Sequence, residues 1–316
     1  MYNNKKICIV VPAHNVGHLV DKVIDTVPKW VDLVIVVNDA SKDNTVSVAQ
    51  NTKNFKDGKV YIINHEKNQG VGGAIISGYK EALKREIDIS VVMAGDAQMD
   101  PDDLESIVKP VAEGEVDYTK GNRIFRGEAW GLIPHKRYLG NAVLSLMTKI
   151  ASGYWHIADS QCGYTAISLN ALKTLKLDWI FKRYGMPNDI LIRLNIENMK
   201  VRDISVRPVY NVGEISGLKI RKVMFVIPWI LFKGFGKRML HKYVIRDFHP
   251  LLFFYFFGIS FILAGTVLSL RVMLFLFFVH FAPRFNSLLA MFLLMVGIQL
   301  ILFAMWFDME YNKGLR

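Results

Sequence analysis

Cysteine is nearly absent from the 316 residues: Cys8 and Cys162 are the only two, and neither stands at metal-ligand spacing. This excludes a disulfide framework and a zinc cluster, and it fits a reducing compartment. Acidic residues are also scarce, with 28 Asp and Glu against 39 Lys and Arg, a formal charge of +11 and a pI near 9.5. That balance suits an anionic partner, whether nucleic acid, nucleotide or an acidic membrane surface. Charge is missing altogether from two stretches, since residues 248–270 and 285–307 contain no Asp, Glu, Lys or Arg. Each exceeds the ~20 apolar residues needed to cross a hydrocarbon core. The hydrophobic content of 52% and mean hydropathy of +0.23 are therefore concentrated in the last quarter of the chain. The N-terminal Met1-Tyr-Asn-Asn-Lys-Lys runs straight into a β-rich segment, so no signal peptide is expected.

Ahead of those runs, strands alternate with helices. Ile7–Val11 is a short strand closed by the turn signal Pro12-Ala-His-Asn15, and a helix is expected from about Gly17 to Thr26. Leu33–Val37 is a second strand, followed by the polar loop Asn38–Thr45, in which Asp43 can cap the next helix. Val60–Ile63 and Ile89–Met93 are the third and fourth strands, with a helix to about Lys84 between them. A helix over about 102–113, a short strand Tyr118–Lys120, a basic loop from Arg126 to Arg137 and a helix over about 138–152 follow. Another helix opens at Met186-Pro-Asn-Asp189, and Val201–Tyr210 alternates like a strand. This spacing implies an α/β fold with a doubly wound, mostly parallel sheet.

The segment from Val91 to Pro101 organises the rest. Val91, Val92 and Met93 end a buried strand, and Asp96, Gln98 and Asp100 follow where the chain leaves the sheet. In open α/β sheets, ligands sit beyond the carboxyl ends of the strands. Asp100 precedes Pro101, the pattern of an N-cap with proline at the first helical position. Asp96 and Gln98, an acid and an amide two residues apart, suit a hard divalent cation that keeps its other positions for water and phosphate. Asp39 ends the second strand, so it and Asp96 project over one sheet edge. One carboxylate there could hold a base or ribose and the other a metal-bound diphosphate, as a nucleotide-activated donor requires. Asn68-Gln-Gly-Val-Gly-Gly-Ala74 is not a dinucleotide fingerprint, because Ile75 stands where a glycine is needed and the loop follows the third strand. Close backbone approach accounts for its glycines, and the helix N-terminus behind Gly70 can still face an anion.

Beyond Gly217 the character changes. From Pro228 to Asp247 a helical pattern places Ile230, Leu231, Phe235, Met239, Tyr243 and Val244 on one face. Lys233, Lys237, Arg238, His241, Lys242 and Arg246 take much of the rest, the pattern of a helix lying on an anionic membrane surface. The expected division is a catalytic domain over 1–217, membrane-surface helices over 218–247 and a two-span anchor over 248–316. The spans are expected at about 251–270 and 287–306, joined by an apolar linker. Basic residues crowd before the first span, whereas the linker carries only Arg271 and Arg284. The positive-inside rule makes this an integral membrane protein with its large domain and both termini in the cytoplasm.

Several of these segments carry a resemblance. Val10-Val-Pro-Ala-His-Asn15, Asn38-Asp-Ala-Ser-Lys-Asp-Asn-Thr45, Asn68–Ala74 and Ala94-Gly-Asp-Ala-Gln98 are similar to motifs of family 2 glycosyltransferases of the GT-A fold. Gly121-Asn-Arg123, Arg137 and Asp159–Tyr164 narrow it to the polyprenyl-phosphate branch, the dolichol-phosphate mannose synthase and bactoprenol glucosyltransferase type. The likeness runs from about Ile7 to Ser216. It implies that Pro12, Ala13, Asn15, Asp39 and Gly70, with Asp96, bind a nucleotide sugar. It also implies that Asp96 and Gln98 hold Mg²⁺ or Mn²⁺, and that Arg123, Arg137 and Asn141 grip the acceptor phosphate. Asp96, Arg123 and Arg137 would be the catalytic groups. Asp159, Gln161, Asn188 and Asp189 match acceptor-side segments. One departure stands out: Ala94 occupies the position where the family's metal motif usually begins with an acid.

The expected reaction is inverting transfer of a hexose from a UDP- or GDP-sugar to a polyprenyl phosphate at the membrane. Membrane lipid is the partner, nucleic acid is not, and a homo-oligomer is left open. A phosphate monoester, with a second pKa of about 6, is already largely dianionic at neutral pH and needs no strong base. A processive polysaccharide synthase would carry a Gln-x-x-Arg-Trp motif, which is absent. An enzyme acting on a lipid or protein hydroxyl would need a base, for which Asp159 or Asp189 is the candidate. A non-catalytic subunit of a membrane complex is the third alternative, with Ala94 as its mark.

Overall fold

The computed structural model describes residues 1–124, 135–207, 209, 220–281 and 283–316. Seven strands form one sheet: β1 (Ile7–Ala13), β2 (Leu33–Asn38), β3 (Val60–Asn64), β4 (Ile89–Val92), β5 (Tyr118–Asn122), β6 (Thr165–Ser168) and β7 (Val201–Ser205). Their order is β3-β2-β1-β4-β6-β5-β7, with β6 antiparallel to both neighbours and every other pair parallel. The mostly parallel sheet expected from the strand–helix alternation is therefore present.

The core follows from a period of two along strands buried on both faces. Cys8 and Val10 of β1 join Ile35, Val37 and Tyr79 on one face, while Ile7, Ile9 and Val11 join Val34, Val36 and Leu104 on the other. The helix Val71–Lys84 crosses β1 at its closest approach at Gly78, where a Cβ would lie 2.2 Å from a Val10 methyl. Asp100 accepts from the Asp102 amide with Pro101 at the first helical position, the cap that the sequence pattern called for.

β6 and the linker between the long apolar helices depart from the sequence expectation. β6, Thr-Ala-Ile-Ser, is too short and mixed to announce itself, and its burial comes from β4 and β5 on either side. The apolar linker is largely helical, because the first long apolar helix continues to Val279 and the second already begins at Arg284.

The chain divides into two compact units, Met1–Phe235 with Leu315–Arg316, and Gly236–Gly314. In the second, the helices Leu251–Val279 and Arg284–Tyr311 are long and apolar enough to cross a membrane. They pack through small residues: a Cβ on Gly297 would come within 2.8 Å of an Ile262 carbon, and one on Gly258 within 2.9 Å of Ile301. Such residues let helix backbones approach where lipid supplies no hydrophobic drive. A buried polar knot closes the same unit. Arg238 grips Asp308 bidentately at 2.7 and 3.0 Å, and Tyr243 donates to the same carboxylate at 2.6 Å. Asn312 accepts from Lys242 at 2.7 Å.

The helix Ile220–Leu240 differs from the expected amphipathic pattern. Leu231 and Phe235, assigned from sequence to a membrane face, pack with Ile227 against Leu144, Met147, Ile192 and Ile196. Tyr243 lies beyond the helix in a π-helical turn, His241–Arg246, where the 3.6-residue period no longer holds.

Candidate active site

Strand direction gathers the candidate residues. β1 to β5 and β7 end at one sheet edge, and antiparallel β6 begins there. The loops carrying Asn15, Asp39, Asp96, Arg123 and the Asp159–Tyr164 segment therefore share the edge where α/β sheets bind ligands. Three non-glycine residues in these loops, Asn15, Ala40 and Ala97, have φ of 55–58°. Such left-handed conformations cost free energy and cluster where a backbone is shaped for function.

The first two loops are laced together. Asn15 Oδ1 accepts from the Lys42 amide at 2.8 Å, and its own amide donates to Ser41 Oγ at 3.0 Å. Pro12 and Ala13 are buried, and their carbonyls accept from the amides of Gly95 and Asp39 at 3.2 and 2.8 Å. Asp39 is only 3% exposed, and its carboxylate accepts from the amides of Gln69 and Gly70, both at 2.8 Å, and contacts His65 Nδ1 at 2.7 Å. That side chain ties the start of the glycine loop to the end of β2. His65 was not singled out from the sequence, although its place directly after β3 at the same edge was the available signal. Gly70 has a φ of 87°, and a Cβ there would meet the Lys182 carbonyl at 2.8 Å. The glycines thus admit the Phe181–Arg183 backbone, and Lys182 takes one amide of the helix start, that of Gly73, at 2.8 Å.

Asp96 and Gln98 lie on either side of left-handed Ala97, and the Gln98 amide donates to Asp96 Oδ1 at 3.2 Å. No group of three or more His, Cys, Asp or Glu side chains suited to a metal occurs among the described residues. One carboxylate and one amide oxygen fit Mg²⁺ or Mn²⁺, hard ions that retain waters and phosphate oxygens, and would not fit zinc. The loop touches the Asp159–Tyr164 segment, because Tyr164 donates to the Asp100 carbonyl at 3.1 Å and Gly163 abuts Met99.

Arg123 leaves the end of β5 and meets Asp159 through Nε at 2.8 Å and Nη2 at 3.1 Å. The Arg123 side chain is 26% exposed and that of Asp159 only 1%. Burial alone would raise the Asp159 pKa; the Arg123 guanidinium, with buried Lys120 behind it, outweighs burial and holds the carboxyl below the usual range. Beneath this pair, Asp203 Oδ2 accepts from Asn122 at 3.0 Å and from the Ala158 amide at 2.7 Å, which ties both loops to β7. Asp203 was not singled out from the sequence, and Asn122 entered only as the middle of the Gly121-Asn-Arg123 motif, with no role of its own.

Gln161 and Thr148 donate to Asn188 Oδ1 at 3.1 and 2.8 Å, anchoring the segment to the helix His135–Ser152. By helical spacing, positions 137 and 141 precede Ser145 and Thr148 on one face. The side chains of Arg137 and Asn141 lie outside the described residues. Asp189 Oδ2 accepts from Arg193 at 2.8 Å and from the Phe181 amide at 2.9 Å, so it positions the backbone that covers the glycine loop.

Comparison with known proteins places this architecture. The family model for glycosyl transferase family 2 matches residues 8–176. A UDP-N-acetylglucosamine–dolichyl-phosphate N-acetylglucosaminyltransferase of Methanococcus voltae is 32% identical over 219 residues, 66% of this chain and 87% of that protein. An undecaprenyl-phosphate mannosyltransferase of Micrococcus luteus is 28% identical over 193 residues, 60% of this chain and 77% of its own. Glucosyl-3-phosphoglycerate synthase of Mycobacterium tuberculosis, solved with Mn²⁺, UDP-glucose and phosphoglyceric acid, superposes with a TM-score of 0.55 at 20% identity. That superposition covers 74% of this chain and 80% of the other and shows the shared GT-A-like sheet. A match across more than half the chain, joined to a relative aligned over most of its own length, makes this protein a glycosyltransferase of family 2.

Proposed function

We propose that this glycosyltransferase transfers a hexose or N-acetylhexosamine from a nucleotide diphosphate sugar to a polyprenyl phosphate, with inversion, at the cytoplasmic membrane face. The observation that carries the proposal is the joining of the Asp96–Asp100 loop to the Asp159–Tyr164 segment, with Arg123 fixed by Asp159 beside them. A donor-diphosphate loop and a guanidinium meet at one sheet edge, as coupling two phosphorylated molecules requires. The relatives named for dolichyl and undecaprenyl phosphate support the acceptor, and the named UDP-N-acetylglucosamine makes that donor the first to test.

The residues divide the work. The loops held by Asn15 and Asp39 would form the nucleotide seat. Asp96 and Gln98 would hold a divalent cation, which when bound neutralises charge on the leaving diphosphate. Arg123, with Arg137 and Asn141 on the following helix, would orient the acceptor phosphate. Guanidinium planes suit phosphate oxygens geometrically. Positioning and charge neutralisation suffice because the nucleophile is already anionic.

A hydroxyl acceptor would need a general base near its operating pH. Asp159 is depressed by Arg123, and Asp189 is committed to Arg193 and the Phe181 amide. Both candidates for that role are thus engaged in structure, which favours the phosphate acceptor. The test is to incubate the full-length protein in membranes with labelled nucleotide sugars and polyprenyl phosphate, then extract the lipid. Label in a polyprenyl-phosphate sugar is expected; label that reaches only lipid or protein hydroxyls would overturn the proposal.

A further inference from the structure

Over Ile220–Phe235 the helix carries two apolar faces, and among the described residues only one packs within the first unit. Ile227 and Leu231 are buried at 1% and 2% exposure, and Gly234 abuts Ile192. On the opposite side Phe225, Trp229 and Phe232 are 77%, 57% and 71% exposed. Spacings of four and three residues put these rings on one stripe. Trp229 and Phe232 stack at 6.1 Å between centroids, and the Lys233 ammonium sits 4.7 Å from the centre of the indole. Aromatic rings held side by side in water, with a cation at their margin, have the composition of a membrane-interface anchor.

We infer that Phe225, Trp229 and Phe232 insert into the headgroup–acyl boundary of an anionic bilayer and seat the catalytic unit on the membrane. The inference rests on the membrane setting proposed above and adds the contacting face, which is not the one that the sequence pattern favours. Two observations commit it to lipid. In sequence, the helix leads within ten residues to the first uncharged span, from Leu240 to Leu251, so it is tethered beside any bilayer that the span crosses. The accessible flanking charges are also of one sign: Lys233, Lys237 and Arg246 follow the stripe, and no acid occurs between Ile220 and Arg246. That arrangement complements anionic headgroups.

Both native cysteines are buried, so an introduced thiol can be labelled selectively. The full chain carrying Phe232→Cys, or Phe225→Cys, would be labelled with an environment-sensitive fluorophore and reconstituted in phosphatidylcholine–phosphatidylglycerol vesicles. Lys173→Cys, at an exposed position of the catalytic unit, is the aqueous control. The expected result at 225 and 232 is blue-shifted emission, stronger quenching by a shallow than by a deep nitroxide lipid, and several-fold weaker quenching by iodide than at 173. Iodide quenching equal to that at 173 would overturn the inference by leaving the stripe in water. Protection from both iodide and nitroxide lipid would overturn it in favour of a protein neighbour, such as a second copy. Flotation of the unlabelled chain with the vesicles tests the spans separately, and its failure would remove the membrane setting and this inference together. No sugar transfer enters the readout, so failure of the proposed reaction leaves the result standing.

Discussion

Arg123 is the residue through which the acceptor assignment can be refuted. Its guanidinium has a structural task as well, because Asp159 is 1% exposed and accepts from it through both oxygens. Arg123→Ala would leave a buried carboxylate without its guanidinium partner, at a cost of about 3–5 kcal/mol in stability. Loss of activity in that variant alone would therefore be ambiguous. The double variant Arg123→Ala/Asp159→Asn removes both charges, so most of that cost should return as a recovered thermal midpoint. Transfer should not recover. Removing one preorganised donor from a developing charge typically lowers turnover by about 10²–10³, or roughly 2.7–4 kcal/mol. A loss of that size in kcat/KM for polyprenyl phosphate is expected in the double variant, with nucleotide affinity by calorimetry kept within about twofold. Arg123→Lys should fall between, since a point charge replaces a fork. Recovered transfer in the double variant, or nucleotide affinity falling in step with acceptor use, would refute the assignment.

Chelation should abolish transfer and Mg²⁺ or Mn²⁺ restore it; Asp96→Asn should raise the metal concentration for half-maximal rate, and Gln98→Ala should do so by less. Unfolding in detergent should show Asp308→Ala destabilised by about 3–5 kcal/mol, because Arg238 is then buried without its carboxylate. Arg238→Met/Asp308→Leu should recover most of that loss. Burial pushes the Asp203 carboxyl up to about 6 from its ordinary 3.8. Its stabilising contribution is full below the unfolded value and is lost as pH rises through about 6. Wild-type stability should accordingly fall by about 3 kcal/mol from this group across that window. Asp203→Asn keeps an acceptor for Asn122 and Ala158 and should flatten that part of the pH profile of the thermal midpoint.

Much of the chemistry was legible locally. Apolar runs ending in Asn15, Asp39 and Asp96 predicted strand ends at one edge, because parallel strands joined by helices must all exit on the same side. Two runs without charge predicted two long apolar helices through composition alone. The Asp100-Pro101 pair announced its cap for the same local reason. The roles within the site were less legible. The sequence pattern offered Asp39 as a nucleotide ligand but did not announce its structural partners, His65 and two amides contributed by residues some 30 positions away.

Sequence by itself determined the elements whose cause lies within a few residues: strand and helix alternation, the proline cap, the uncharged spans and the excess of positive charge. Tertiary structure alone decided which partners were brought together across long separations. β6 is a strand because β4 and β5 flank it, and Asp159 is a guanidinium clamp because β5 ends beside its loop. The helix Ile220–Leu240 carries apolar residues on two sides, so periodicity could not choose between them. Packing of Ile227 and Leu231 against Ile192 and Ile196 made that choice, and it turned Phe225, Trp229 and Phe232 outward.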